Sequence, residues 1–93
     1  MHHFYILYSE SANRYYIGET YDLDLRLDKH NDKRYKRSFT KMAEDWKVAL
    51  SLECRRKEDA VYLEAFVKRM KSKVFIQKVI ANPEILIDIL SNK

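Results

Sequence analysis

Side chains able to carry a proton, bind an anion or hold a cation fall in this sequence at spacings that a small fold can gather. They are the phenols of Tyr5 and Tyr16, the guanidinium of Arg26, the imidazole of His30 and the carboxylate of Glu64. Tyr16 lies in the run Tyr15-Tyr16-Ile17-Gly18, Arg26 follows it by ten residues, and His30 follows Arg26 by four. Residues four apart share a helix face, so Arg26 and His30 point the same way if that segment is helical. Each residue also has an ordinary structural reading. Seven tyrosines in 93 residues make buried, hydrogen-bonded strand tyrosines common. Arg26 and Glu64 suit surface ion pairs, which contribute little. His30 near a helix C-terminus suits a cap, and Gly18 suits a bulge or a close backbone approach. Other chemical signatures are missing: no Gly-rich phosphate loop, no HExxH, no EF-hand carboxylate cluster and no Ser nucleophile on a Gly-flanked turn.

The elements that must position these residues follow from hydrophobic pattern. His3 to Tyr8 reads as a strand, Ser9 to Asn13 as a polar turn and Arg14 to Gly18 as a second strand, together a β-hairpin with a longer loop. Asp22 caps a helix running to about Asn31, with Leu23 and Leu27 on one face. From Asp32 to Asp45 periodicity is lost, as in a basic loop or short helical pieces. Trp46 to Glu53 alternates, with Val48, Leu50 and Leu52 on one side and Ala49, Ser51 and Glu53 on the other, which predicts a half-buried third strand. A long helix is expected from about Glu58 to Lys71, its stripe Ala60, Leu63, Val67 and Met70 bordered by Glu64. A short apolar helix, Val74 to Ile80, stops near Asn82-Pro83, because the residue before proline is disfavoured in the α region. The last helix, Glu84 to Leu90, carries Ile85, Leu86, Ile87, Ile89 and Leu90, more apolar surface than one stripe requires. It either closes the core or meets a partner, a second copy of the chain included. The expected fold class is α+β, a three-stranded antiparallel β-sheet flanked by helices, in one domain over residues 1–93.

Composition sets the outer bounds. Ninety-three residues make one domain, and 46% hydrophobic with 34% charged residues is a globular balance. No apolar run approaches the roughly 20 residues of a membrane span, and the start lacks the basic region and apolar stretch of a signal peptide. A cytoplasmic protein with no membrane partner is therefore expected. Cys54 is the only cysteine, which excludes a disulfide framework and a Cys-rich zinc site. Eighteen Lys and Arg against fourteen Asp and Glu give +4, favouring an acidic partner. Lys29, Lys33, Arg34, Lys36, Arg37 and Lys41 are interrupted by one acid, Asp32, and the run Lys68, Arg69, Lys71, Lys73, Lys78 by none. These runs are either solvated faces or one basic side of the molecule.

The combination of Phe4-Tyr5-Ile6-Leu7-Tyr8, Tyr16-Ile17-Gly18, the arginine-bearing segment Asp22 to Asn31 and Asp45-Trp46-Lys47-Val48 resembles the GIY-YIG nuclease family, including its small stand-alone members and the N-terminal domain of the UvrC repair nuclease. The likeness covers most of the chain. It implies that Tyr5 and Tyr16 are the motif tyrosines facing the active site, and that Arg26 is the phosphate-binding arginine. His30 becomes the neighbouring helix position that is histidine in many members, and Glu64 the single metal-binding carboxylate. It further implies a divalent-metal-dependent endonuclease using Mg²⁺ or Mn²⁺ on nucleic acid, DNA rather than RNA, in repair or recombination. Lys29, Lys33, Arg34, Lys36, Arg37, Lys41, Lys68 and Lys71 would then face the substrate. Two departures stand out. His3-Phe4-Tyr5 lacks the first-motif glycine, and Gly18 is followed by Glu19 where UvrC-type members carry a lysine near the scissile phosphate.

Such a set suits the implied chemistry. Phosphodiester hydrolysis needs an activated water in line with the leaving oxygen and charge stabilisation on the phosphoryl oxygens, usually with a hard divalent cation. An arginine fork makes two parallel charge-assisted hydrogen bonds to phosphate. One carboxylate is a sparse cage, yet Mg²⁺ is often held by one or two carboxylates with waters and substrate completing the shell. A tyrosine, with an unperturbed pKa of about 10, acts as a base only beside positive charge. Two other classes stay open: a catalytically weak or inactive nucleic-acid-binding module, for which Glu19 is the hint, and an interaction domain acting through its last helix as a homodimer.

Overall fold

The computed structural model describes residues 1–32 and 43–93. Lys33, Arg34, Lys36, Arg37 and Lys41 of the expected basic face lie outside the described residues. The chain order is β1 (His2–Ser9), β2 (Arg14–Thr20), α1 (Leu23–Asn31), β3 (Lys47–Cys54), α2 (Lys57–Met70), α3 (Lys73–Ala81) and α4 (Glu84–Ser91). The strands form one antiparallel sheet in the order β2-β1-β3, an α+β arrangement with β1 in the centre. Strand alternation sends β1 into two cores. Phe4 and Ile6 meet Ile17, Leu50 and Cys54 beneath Ala60, Leu63 and Val67 of α2, Val79 of α3 and Leu86 of α4. Tyr5 and Leu7 face the other way, onto Ala43 and Trp46, with Tyr16, Leu23 and Leu27 packed around them.

Three expectations change in detail. A β-bulge shifts the β1·β3 register, so that Ile6 pairs with Leu50 but Leu7 with Val48. The extra residue moves Val48 off the Leu50 side, where it is 38% exposed, and brings Ala49 against the helical core. Met70 leaves the α2 stripe and is 45% exposed, because the helix ends there at Lys71, which adopts a left-handed φ of 48° before α3 begins. The last helix closes the core through Leu86, with Ile85, Ile89 and Leu90 packed against it, which leaves Ile87 as the exposed large apolar side chain of α4.

Side-chain hydrogen bonds fix where the loops attach. Asn13 takes the left-handed turn of the hairpin, with φ 52°, a conformation asparagine tolerates better than most residues. Both sides of the Asn31 amide pair with Trp46, its Nδ2 donating to the carbonyl at 3.0 Å and its Oδ1 accepting from the backbone N–H at 2.7 Å, so the end of α1 is tied to the entry of β3. Asp45 accepts from Ser9 Oγ at 2.6 Å, Ser11 Oγ at 2.8 Å and the Ser11 N–H at 3.0 Å. Those bonds, the Ser9 hydroxyl foremost, hold the Asp45 carboxyl down to about 2 from 3.8. A depressed acid stabilises the fold at pH values above its unfolded pKa and loses that contribution as pH falls through its folded one. Thermal melts of wild type and Asp45→Asn should therefore differ above pH 3.8 and converge as pH falls toward 2. A gap that stays constant through that window would show that the carboxylate charge is not what latches the hairpin to β3.

Candidate active site

Gly18, the only glycine of the chain, sits directly across from Tyr5 in the β1·β2 pairing. Its φ is not positive, so the reason for glycine is space. A Cβ there would lie 2.5 Å from the Tyr5 hydroxyl and 2.6 Å from the ring carbon that bears it. The Tyr5 ring thus crosses the bare Cα of its cross-strand partner, where it is fully buried.

From that position Tyr5 organises an aromatic cluster. Its hydroxyl lies 3.1 Å from Nε2 of the buried His30, which α1 brings in one turn after Arg26. Tyr16 on β2 stacks beside Tyr5 at 6.3 Å between ring centroids, approaches His30 at 4.5 Å and meets Trp46 edge-on at 6.4 Å. Burial, then the neighbouring Tyr16 and Glu64, push the Tyr5 phenol well above its ordinary value, against a lowering by the charge and hydrogen bond of Arg26. Tyr5 therefore keeps its proton. The Tyr5 hydroxyl and His30 Nε2 are within hydrogen-bond distance, and the Arg26 guanidinium acts on the same phenol as a nearby positive charge. Tyr16 is only half-buried, and Arg26 is exposed.

Glu64 arrives from the other side of the sheet. The helix α2 packs against β1 and β2, and because β2 is an edge strand, α2 side chains reach past it toward the aromatic cluster. Lys68 Nζ bonds Glu64 Oε2 at 2.9 Å and lies 5.9 Å from the centroid of the Tyr16 ring. The Glu64 carboxylate is thus paired with Lys68 beside Tyr16, and a hard divalent ion held there would have to displace that ammonium. Among the described residues no group of three or more His, Cys, Asp and Glu could form a fuller protein cage. Waters and a substrate phosphate would have to complete the shell.

Five of the residues singled out by type and spacing, Tyr5, Tyr16, Arg26, His30 and Glu64, therefore share one neighbourhood. The basic residues divide. Arg26 and Lys29 line a cavity of about 410 Å³ with His2, Lys57 and the acids Glu19 and Asp22, whereas Lys68 and Lys71 line a separate one beside β2. Glu19 is thus a neighbour of Arg26 in that cavity, though not a member of the aromatic cluster. It pairs across strands with Phe4, which faces the helices, and its carboxylate meets His2 Nε2 at 3.1 Å on that side. The sequence reading missed Trp46 as a wall against Tyr16, and the Asn31 clamp that positions it. An asparagine at a helix end and a tryptophan before a strand are ordinary in sequence, and only the fold joins them.

Residues 1–78 match the family model of the GIY-YIG catalytic domain. No curated protein and no solved structure gives a significant match to the chain. The match carries nuclease activity on nucleic acid as a class, a hydrolase chemistry that in this family usually uses a divalent metal. Among the described residues no helix is long and apolar enough to cross a membrane.

Proposed function

Because the chain belongs to the GIY-YIG family, we propose that it is a single-domain, divalent-metal-dependent endonuclease that hydrolyses phosphodiester bonds in DNA, in the service of repair or recombination. The observation that carries this reading is the convergence of the Tyr5, Tyr16, Arg26 and His30 cluster with the Glu64 carboxylate across the edge of β2. Glu64 would hold Mg²⁺ or Mn²⁺, which when bound supplies charge on the phosphoryl oxygens and a polarised water. Arg26, exposed and near the Tyr5 phenol, directs its fork to the phosphate. Tyr16, half-buried where Tyr5 is sealed from solvent, is the phenol placed to take the proton of the attacking water on its oxygen while passing its own proton to solvent. Tyr5 and His30 act as the frame that fixes Arg26 and Tyr16. Lys29, Lys68 and Lys71 draw the polyanion to the site. Glu19 meets His2 but also lines the cavity that holds Arg26 and Lys29, so the hint toward a binding module stands beside the nuclease reading and the cleavage panel separates the two.

The test is a cleavage panel over duplex, nicked, branched and single-stranded DNA and RNA with Mg²⁺ or Mn²⁺. Glu64→Gln should abolish metal-dependent cutting. Tyr16→Phe, which keeps the ring and its packing, should lower the rate by about 10²–10⁴-fold with folding and affinity nearly intact. Wild-type protein that binds DNA in a salt-sensitive way but cuts no member of the panel would make the chain a binding module instead.

A further inference from the structure

We propose that the cavity between β2 and the α2–α3 junction holds the unpaired DNA strand that flanks the scissile phosphate, so that the substrate of the proposed nuclease site is DNA with a single-stranded arm. The cavity, about 740 Å³, runs along Arg14 to Ile17 on β2 and faces Val67, Lys68, Lys71, Lys73 and Ile76 on the helices. Its chemistry has two parts. Four cations, Arg14, Lys68, Lys71 and Lys73, border it, Lys68 being paired with Glu64 just beyond the lining, and no acid belongs to the lining itself. Between them lies an apolar floor built from the faces of Tyr15, Tyr16, Ile17, Val67 and Ile76. Cations that follow a backbone beside aromatic and aliphatic surface are what a single strand requires, because its base faces are free to stack, whereas a duplex hides them.

Continuity fixes the occupant. Tyr16 and Lys68 belong both to the cavity and to the cluster around Glu64, so a strand in the cavity leads directly to the reacting phosphate. Charge complementarity is local as well: Lys73 Nζ is held at 3.1 Å by Asn13 Oδ1, a neutral acceptor that fixes the ammonium without cancelling its charge.

Binding without metal separates this inference from the nuclease reading on which it rests. Fluorescein-labelled oligo-dT and a blunt DNA duplex of equal length are titrated by anisotropy in EDTA, where no cleavage occurs. The wild type should bind oligo-dT at least about tenfold more tightly than the duplex. The variant Arg14→Gln/Lys71→Asn/Lys73→Gln should lose that preference, and its log–log salt slope on oligo-dT should flatten by about 2, as expected for three fewer phosphate contacts on a single strand. Asparagine is chosen at 71 because it tolerates the left-handed backbone there. Lys47→Gln/Arg55→Gln removes exposed charge elsewhere and should retain the preference. Duplex bound as tightly as oligo-dT, or an unchanged slope in the triple variant, would overturn the strand path while leaving Glu64-dependent cleavage untouched. A groove-dependent preference in a protein that never cuts would uphold the path and remove the nuclease reading.

Discussion

Arg26→Ala is expected to slow cleavage by about 10²–10³-fold while weakening DNA binding in EDTA only a few-fold. The difference arises because charge on the phosphoryl oxygens grows toward the transition state, and a preorganised donor aimed at that charge lowers the barrier more than it tightens the ground state. Arg26 has the preorganisation. It projects from α1 one turn before the buried His30, and its guanidinium lies close enough to the Tyr5 phenol to act on it as a positive charge. The expected pattern in single-turnover kinetics is a fall in the rate at saturating protein, with little change in the half-saturation concentration. Arg26→Lys should recover only part of the loss, since an ammonium restores charge but not the two-pronged geometry. Equal losses of rate and affinity would reduce Arg26 to a substrate-holding residue.

Gly18→Ala should harm both stability and catalysis, although it adds one methyl group. The new Cβ would stand 2.5 Å from the Tyr5 hydroxyl, and a fully buried ring cannot swing aside freely. Overpacking of this kind costs about 1–3 kcal/mol. On a domain of this size Tm falls by roughly 4–8 °C for each kcal/mol. The loss of cleavage should exceed what the folded fraction explains, because any displaced Tyr5 hydroxyl takes the His30 and Arg26 contacts with it. A double-mutant cycle isolates the cause: in a Tyr5→Leu background the same Gly18→Ala change should cost less than about 0.5 kcal/mol. Equal costs in both backgrounds would place the penalty in the backbone rather than in the ring.

The order and type of the elements were legible because each carries a period that survives without tertiary context. Leu23 and Leu27 on α1, Ala60, Leu63 and Val67 on α2 and the alternating strands all behave in this way. Val48 and Met70 were misread for the same reason in reverse. A bulge and a left-handed helix end are set by pairing partners and by the next element, and no local period records them. In the candidate site the residue types could be chosen from spacing, but their division of labour could not. Tyr5 and Tyr16 look alike in sequence, and only burial separates the sealed phenol from the half-open one. Glu19 stands beside Gly18 in sequence, but only the fold shows that it meets His2 and shares a cavity with Arg26. Arg14 and Lys73, 59 positions apart in the chain, become neighbours only where β2 meets α3.

The outer edge of β2 has a consequence for the protein in concentrated solution. An edge strand leaves N–H and C=O groups unpaired along one side, and such a side is a template for another strand and a start for aggregation. Arg14, Lys68, Lys71 and Lys73 crowd this edge with like charge, so two copies approaching edge to edge repel one another before their backbones can register. The cations that would receive a polyanion thereby also keep the hairpin from recruiting its own kind. Colloidal behaviour and ligand affinity are then written in the same four side chains, and a change made for one alters the other.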